Sequence, residues 1–251
     1  MSQLSVTIIT YNEEARIEAC LNSIQWVDEI IILDSGSSDN TVEICERSTP
    51  HIFVTEWPGF GKQKNRAIKK ANSDWILSID ADEQISEELK EEIQQAIKDS
   101  HINGFYIPRL SYYCGQPMHH SGWWPDYVPR LFRSGKGTFD EAIIHERLHI
   151  EGATKKLQHP IIHHSFPDME SVLKKVNQYS SLNAEKLHSQ GRSSSLFKAI
   201  GKGLWAFIRT YIIQAGFLDG ARGFMLAVSN AEGTYYKYIK LYLLSKNGPP
   251  S

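Results

Sequence analysis

Apolar residues in the first hundred positions follow two alternating patterns. Short, nearly continuous runs rich in β-branched residues predict buried strands, at residues 4–10, 29–34, 51–55 and 75–80. Between them, apolar residues recur every three or four positions, as in a helix with one buried face. These segments predict helices from residue 17, from an Asp39 or Asn40 cap to 47, over 62–71, and across 89–97. The alternation indicates an α/β fold with a mainly parallel sheet between helices.

The pattern changes after Gly104. Shorter strands are predicted at 105–108, 127–133, 143–149 and 160–163, among dense Gly, Pro and aromatic residues. Helical periodicity returns over 169–190 and, after a short polar linker at 192–195, over 196–246. The second half therefore contains a second architecture, which is mainly helical towards the C-terminus.

Polar clusters terminate three of the four predicted strands. They are Thr10-Tyr11-Asn12, Asp34-Ser35-Gly36-Ser37 and Asp80-Ala81-Asp82-Glu83. In open α/β sheets, ligands bind outside the carboxyl ends of the strands, so these clusters are expected to meet in one crevice.

The third cluster contains two aspartates one residue apart. At a strand end both carboxylates can reach one site, and paired carboxylates suit Mg²⁺ or Mn²⁺ that shares its ligands with substrate phosphates. A turn whose aspartates cap the following helix is the alternative. The strand end and its polar neighbours favour a functional site.

Charge and cysteine content refine this picture. The net charge is −2, but residues 192–251 hold eight Lys or Arg against two acidic residues, a net charge of +6. Such a basic tail favours an anionic partner. Three widely spaced cysteines fit a reducing compartment, and neither a signal peptide nor an apolar run of about 20 residues is evident. We expect a cytoplasmic protein, with peripheral attachment to the inner face of the cytoplasmic membrane left open.

Four motifs together resemble glycosyltransferase family 2, whose members have the GT-A fold. They are VTIITYNEE (6–14), ILDSGSSDNT around Asp34, GKQKNRAI (61–68) and ILSIDADE (76–83). A closer resemblance is to bacterial lipopolysaccharide core β-1,4-glucosyltransferases. It extends through GWWPDYVPRLFR (122–133), IIHERL (143–148), HHSF (163–166) and GFLDGARGF (216–224).

This resemblance implies a Rossmann-like GT-A catalytic domain over residues 1–165 and a helical C-terminal extension over 166–251. The implied reaction is metal-dependent, inverting transfer of a hexose, glucose from UDP-glucose, to a lipopolysaccharide inner-core sugar. A polyprenyl phosphate or other glycan acceptor is an alternative. A non-catalytic nucleotide-sugar-binding protein is an alternative of another class, and no nucleic-acid partner is expected.

Site residues follow from the matching motifs. The resemblance implies nucleotide-sugar binding by residues of all four: Thr10, Tyr11, Glu13 or Glu14, Asp34, Lys64, Asp80, Ala81 and Asp82. Asp34 is expected to accept a hydrogen bond from the base, and Lys64 lies where the family often has arginine. Asp82 is the expected ligand of Mg²⁺ or Mn²⁺, and His163 is a candidate additional ligand.

The catalytic base is expected to be Glu146, with Asp140 and Asp126 as competitors. Trp123, Trp124, Asp126 and Arg130 would suit a sugar acceptor, because indoles pack on pyranose faces and charged groups bind hydroxyls or phosphates. Alternatively the tryptophans fill the core beneath a loop. We expect one of them to be exposed and one buried.

Two apolar stripes mark the last helical region, around Leu204–Ile212 and Tyr235–Leu243, and basic residues flank both. They predict either packing against protein, including a second protomer, or contact with an anionic membrane surface.

Overall fold

The computed structural model describes residues 2–140 and 146–246, and the chain forms two compact units. The first unit comprises residues 1–109 and 126–163, and the second comprises 110–125 and 164–251. The structure thus groups residues 110–125 with the C-terminal helices, where the sequence placed them in the first domain. The reason lies in the second unit, where buried Asp219 accepts hydrogen bonds from the loop at 119–121.

Strands and helices are labelled in chain order. The strands are β1 Leu4–Thr10, β2 Glu29–Asp34, β3 Ile52–Val54, β4 Trp75–Asp80, β5 Glu83–Ile85, β6 Gly104–Tyr113, β7 Gln116–Pro117, β8 Asp126–Arg133, β9 Gly137–Phe139, β10 Leu148–Ile150, β11 Thr154–Lys156 and β12 Ile161–Phe166. The helices are α1 Ile17–Asn22, α2 Thr41–Glu46, α3 Phe60–Ile68, α4 Glu87–Ala96, α5 Met169–Ser189, α6 Leu196–Ile208 and α7 Gly220–Lys246.

A mixed sheet organises the first unit, in the order β3-β2-β1-β4-β8-β6-β12-β5. The strands from β3 to β4 are parallel, whereas β8 runs antiparallel to both β4 and β6. The register pairs Thr10 with Asp34 and Ile9 with Asp80. The carboxyl ends of β1, β2 and β4 therefore lie side by side, as the polar clusters predict.

Both faces of the parallel half are buried. One face of β1 and β4 packs against α1 and α4 through residues that include Ile8, Leu77, Leu21 and Leu89. On the other face, Ile9, Ile31 and Leu33 pack against Ala67 of α3. This two-sided burial explains why the strands read as continuous apolar runs.

Strands beyond β4 differ more from the sequence prediction. The strand predicted at 105–108 runs from Gly104 to Tyr113, and the one at 160–163 from Ile161 to Phe166. Of the strand predicted at 143–149, the structure shows Leu148–Ile150, and residues 143–145 lie outside the described residues.

The second unit is built mainly from α5, α6 and α7. Asp168 and Ser195 cap α5 and α6 by accepting hydrogen bonds from Ser171 N and Lys198 N. The helical stretch predicted over 196–246 is interrupted by a π-helical turn at Arg209–Ile213 and a 3₁₀ turn at Gly216–Asp219.

Close backbone contact explains one glycine of the GFLDGARGF segment at 216–224. A Cβ atom on Gly223 would lie 1.8 Å from the carbonyl oxygen of Gly216, so α7 can begin beside the 3₁₀ turn only with glycine at this position.

Within the described residues, no helix is both long enough and apolar enough to cross a membrane.

Candidate active site

Asp80, the last residue of β4, is held by two cations. Its Oδ1 lies 2.8 Å from Lys64 Nζ, and its Oδ2 lies 2.5 Å from Arg130 Nη2. The two cationic side chains are 4% and 6% exposed. Desolvated cations and carboxylates in this arrangement must compensate one another, because an unpaired buried charge is costly.

Glu83, at the start of β5, is the second partner of Arg130. It is fully buried, and its Oε1 lies 2.6 Å from Arg130 Nη2 while its Oε2 accepts a hydrogen bond from Asp80 N at 3.0 Å. In the sequence this residue stands out only as the last member of the polar cluster Asp80-Ala81-Asp82-Glu83. No local pattern marks it, because its neighbours Asp82 and Gln84 are polar and Arg130 lies 47 positions away.

Protonation equilibria reflect this pairing. Burial alone would raise the pKa of Asp80, but Arg130 and Lys64 outweigh it and hold that pKa well below the ordinary aspartate value. Conversely, burial would lower the pKa of Arg130, and Asp80 and Glu83 raise it. Asp80 is therefore ionised, with each oxygen already bound to a cation.

Asp82 lies beyond the buried Ala81 and has a different environment. Its Oδ2 lies 3.4 Å from His163 Nε2 and 3.9 Å from Arg16 Nη1. Burial would raise the pKa of Asp82, but the hydrogen bond and charge of His163, aided by Arg16, lower it. Arg16 was not singled out in the sequence, since nothing local relates it to a residue 66 positions later.

Asp82 and His163 form the best candidate metal site. Both side chains are less than a fifth exposed, and an oxygen and a nitrogen donor at this separation fit Mn²⁺ or Mg²⁺ that takes its other ligands from substrate oxygens. No group of three or more His, Cys, Asp or Glu side chains able to hold a metal occurs in the part of the chain that the structure describes.

Lys64 also reaches Glu146, 82 positions away. Its Nζ lies 2.9 Å from Glu146 Oε1, and the Glu146 side chain is 15% exposed. Next to Lys64 in the sequence, the Asn65 side chain donates a hydrogen bond from Nδ2 to Phe139 O and accepts one at Oδ1 from Phe139 N. Helix α3 therefore fixes β9 with Asn65 while Lys64 joins Glu146 to Asp80.

The competing carboxylates are engaged elsewhere. Asp140 accepts a hydrogen bond from Arg147 N at 3.0 Å and lies 3.6 Å from His149 Nε2. Asp126 binds Arg109 through two contacts of 3.0 and 2.6 Å. Neither contact joins them to Lys64 or Asp80.

Asp34 is bonded to the turn that follows β2. It has no exposed surface, and its carboxylate accepts hydrogen bonds from Gly36 N, Ser37 N and Ser37 Oγ. These bonds hold the turn after β2, where Gly36 takes a φ of +85°.

The first polar cluster is more open. Tyr11 is 57% exposed, which leaves its ring free to contact a ligand, and Thr10 Oγ1 is buried without a hydrogen-bond partner among the described residues. Glu13 Oε2 binds Arg16 at 2.6 Å, and the neighbouring Glu14 binds Asn40.

The expected acceptor residues are divided between the units. Trp123 and Trp124 belong to the second unit and are both half-buried, not one exposed and one buried. Trp123 is held by Phe166, whose ring stacks on it at 5.9 Å. Arg130 is buried against Asp80 and Glu83 in the first unit, so its guanidinium stabilises the site's carboxylates and is not exposed to an acceptor.

Comparison with known proteins gives a consistent assignment. The sequence profile described as Glycosyl transferase family 2 matches residues 5–165. An uncharacterized glycosyltransferase of Rickettsia felis is 32% identical over 98% of this chain and 93% of its own length. The lipopolysaccharide core biosynthesis glycosyltransferase LpsC of Rhizobium meliloti is 31% identical over 95% of this chain and 92% of its own.

Among solved structures, Staphylococcus aureus TarS 1-349 in complex with UDP-GlcNAc aligns with 98% of this chain and 92% of its own. The TM-score is 0.51 and the sequence identity 15%. At that identity the likeness concerns the fold alone, and it agrees with a GT-A arrangement of sheet and helices.

The buried cluster predicts a large stability loss in Arg130→Met. This change leaves one oxygen of Asp80 unpaired and leaves Glu83 with the more distant Arg109 at 3.7 Å, and it should lower the free energy of unfolding in urea by about 3–5 kcal/mol. Arg47→Met is the matched control, because it breaks an exposed pair with Glu43 that is worth about 1 kcal/mol or less. Adding Glu83→Gln to Arg130→Met should restore part of the loss. Equal, small losses in the two single variants would contradict the assignment of Arg130.

Proposed function

The chain belongs to glycosyltransferase family 2, and from that premise we propose that it moves a hexose, glucose from UDP-glucose, onto a lipopolysaccharide inner-core sugar with inversion at the anomeric carbon. The observation that carries this proposal is the convergence of Asp80, Asp82, Lys64 and Glu146 at the carboxyl end of β4. The 31% identity to LpsC supports the acceptor class.

We place the donor at the ends of β1 and β4. The exposed ring of Tyr11 and the unpartnered Thr10 hydroxyl support binding of the nucleoside there. Lys64 lies beside this proposed position, with its charge and that of Arg130 compensated by Asp80, Glu83 and Glu146. Asp34 would act indirectly, by fixing the turn beside the base.

Asp82 and His163 would hold Mg²⁺ or Mn²⁺. Asp80 is less suited to direct coordination, because both of its oxygens are bound to cations, and it would orient Lys64 and Arg130 instead. When bound, the metal neutralises negative charge that develops on the departing diphosphate.

Glu146 is the proposed general base. It would take the proton from the attacking acceptor hydroxyl on the face of the sugar opposite the diphosphate. The contact with Lys64 supports this role, because the same ammonium binds Asp80 and so holds the Glu146 carboxylate beside the end of β4. Asp140 and Asp126 lack this contact and are the alternatives.

Replacing the base should separate binding from turnover. We expect Glu146→Gln to retain UDP-glucose affinity within about threefold, as measured by calorimetry, and to lose about 10²-fold or more in transfer rate. Asp140→Asn is the matched control and should stay near wild type. Near-wild-type transfer by Glu146→Gln would assign the base to another carboxylate.

Turnover itself tests the proposal against a non-catalytic nucleotide-sugar-binding protein. The wild-type chain should release UDP from UDP-glucose in Mn²⁺ and stop when EDTA is added. Binding of UDP-glucose without any UDP release, with or without a lipopolysaccharide acceptor, would favour the non-catalytic alternative. Transfer to a polyprenyl phosphate would redirect the acceptor assignment.

The apolar face of α6 supports attachment to an anionic membrane surface on the cytoplasmic side. Small residues of α6, such as Ala199 and Gly203, are buried, whereas its large apolar residues are exposed. The exposed set recurs every three or four positions and continues into the π-helical turn: Phe197, Ile200, Leu204, Ile208 and Ile212. Lys198, Lys202 and Arg209 follow on the adjacent side of the helix.

The magnitudes favour insertion of this face into a headgroup layer. Burying one large apolar side chain contributes about 1.5–3 kcal/mol, and one cation near an anionic surface about 1 kcal/mol. The apolar stripe therefore dominates, and the flanking cations select anionic lipid. This is the pattern of a helix that lies in the membrane interface.

Vesicle flotation tests the membrane proposal. Wild-type protein should float with phosphatidylglycerol vesicles at low salt, and Leu204→Gln/Ile208→Gln should reduce the bound fraction at least fivefold. Leu173→Gln/Leu182→Gln changes two similarly exposed leucines of α5 and should have little effect. Equal flotation of both double variants, or none by the wild type, would exclude this face as the attachment surface. A concentration-dependent dimer lost only in the first variant would assign the face to self-association.

A further inference from the structure

The second unit contains a cleft of about 420 Å³ that the proposed chemistry leaves unused. Residues of α6, the π-helical turn, α7 and the loop at 121–123 line it. Its volume falls within the range of small-molecule sites, about 300–1,000 Å³. Three cations face this cleft, Lys202, Arg209 and Lys237, and the described residues of its lining include no Asp or Glu.

The spacing of these residues explains why they meet. Lys202, Trp205 and Arg209 follow one another at i, i+3 and i+7, so they lie on one side of the helix. Asn230, Thr234 and Lys237 lie at i, i+4 and i+7 on α7 and likewise share one side of their helix. Arg209 begins the π-helical turn, and such turns frequently occur at functional sites.

The loop wall of the cleft is rigidly built. Ser121 N donates to Gln214 O at 2.9 Å, and Ser121 Oγ donates to buried Asp219 at 2.8 Å. Gly122 has a φ of +76°, and a Cβ atom there would lie 2.4 Å from the Gln214 side chain. Trp123 is fixed by its stacking on Phe166. A side chain held in this way presents a constant surface to a ligand.

We propose that this cleft binds a negatively charged sugar, one that carries a phosphate or a carboxylate, as part of the glycan acceptor. The three cations match the anionic group, while Trp123, Trp205 and Tyr238 offer ring faces and Gln214, Asn230 and Thr234 offer hydrogen bonds to hydroxyls. A site for inorganic anions alone would need the three cations but not the aromatic rings and the amide groups. This assignment rests on the proposed glycosyl transfer, whose acceptor it specifies.

A second cleft of about 280 Å³ shares part of this lining. Both are lined by Trp123, Asn230, Thr234 and Lys237, and the second also includes Lys175. Two adjoining chambers with common walls suit an oligosaccharide better than a single sugar residue.

The test uses mannose 6-phosphate as the probe and calorimetry on the full chain. Mannose 6-phosphate should bind at least tenfold more tightly than mannose or inorganic phosphate. Lys202→Gln/Lys237→Gln should weaken that binding at least tenfold. Lys186→Gln/Lys246→Gln removes the same charge from positions outside both clefts and should leave that binding unchanged.

Several outcomes would overturn the proposal. They are equal affinity for inorganic phosphate or for mannose, no binding of mannose 6-phosphate, and equal affinity in the two double variants. Binding of phosphatidylglycerol vesicles through Lys202 and Lys237, without binding of mannose 6-phosphate, would identify a lipid headgroup site instead.

UDP release from UDP-glucose, measured on the same proteins, separates this proposal from the proposed function. Loss of sugar-phosphate binding with intact UDP release refutes the cleft alone. Sugar-phosphate binding without UDP release refutes the donor chemistry alone.

Discussion

Carboxylates at the end of β4 can exist together only because two buried cations neutralise them. Arg130 spans Asp80 and Glu83, and Lys64 spans Asp80 and Glu146. These bonds also connect the elements that carry the site, since Arg130 comes from β8 and Lys64 from α3. Removing one charge would leave another buried and unpaired, so the cluster both stabilises the unit and fixes the position of the candidate base. The chemistry proposed for Asp82 and Glu146 depends on this arrangement.

The parallel half of the fold could be predicted from sequence because each of its signals is local. β1, β2 and β4 have the predicted bounds, since a strand buried on both faces appears as an uninterrupted apolar run. β5, β9 and β11 are three residues long and too short to show any periodicity. The insertion of antiparallel β8 beside β4 likewise has no local signal, because strand direction depends on the route of the chain.

The site was predictable in position but not in its connections. The register places Thr10, Asp34 and Asp80 at one edge, as the polar clusters indicate. The connections that the sequence does not indicate are those to distant or backbone partners. Arg130 pairs with two acidic residues that lie 50 and 47 positions away. The Asp34 carboxylate accepts hydrogen bonds from backbone N–H groups of its own turn. Glu83 and Arg16 were missed for the same reason.

The proposed chemistry depends first on binding of the donor at Asp82 through a divalent cation. The most direct measurement is the affinity for UDP with and without Mn²⁺ in the wild type, in Asp82→Asn and in the control Asp126→Asn, a carboxylate bonded to Arg109. We expect Mn²⁺ to tighten UDP binding at least tenfold in the wild type and in Asp126→Asn, and to have little effect in Asp82→Asn. An equal effect of Mn²⁺ in all three proteins would contradict it.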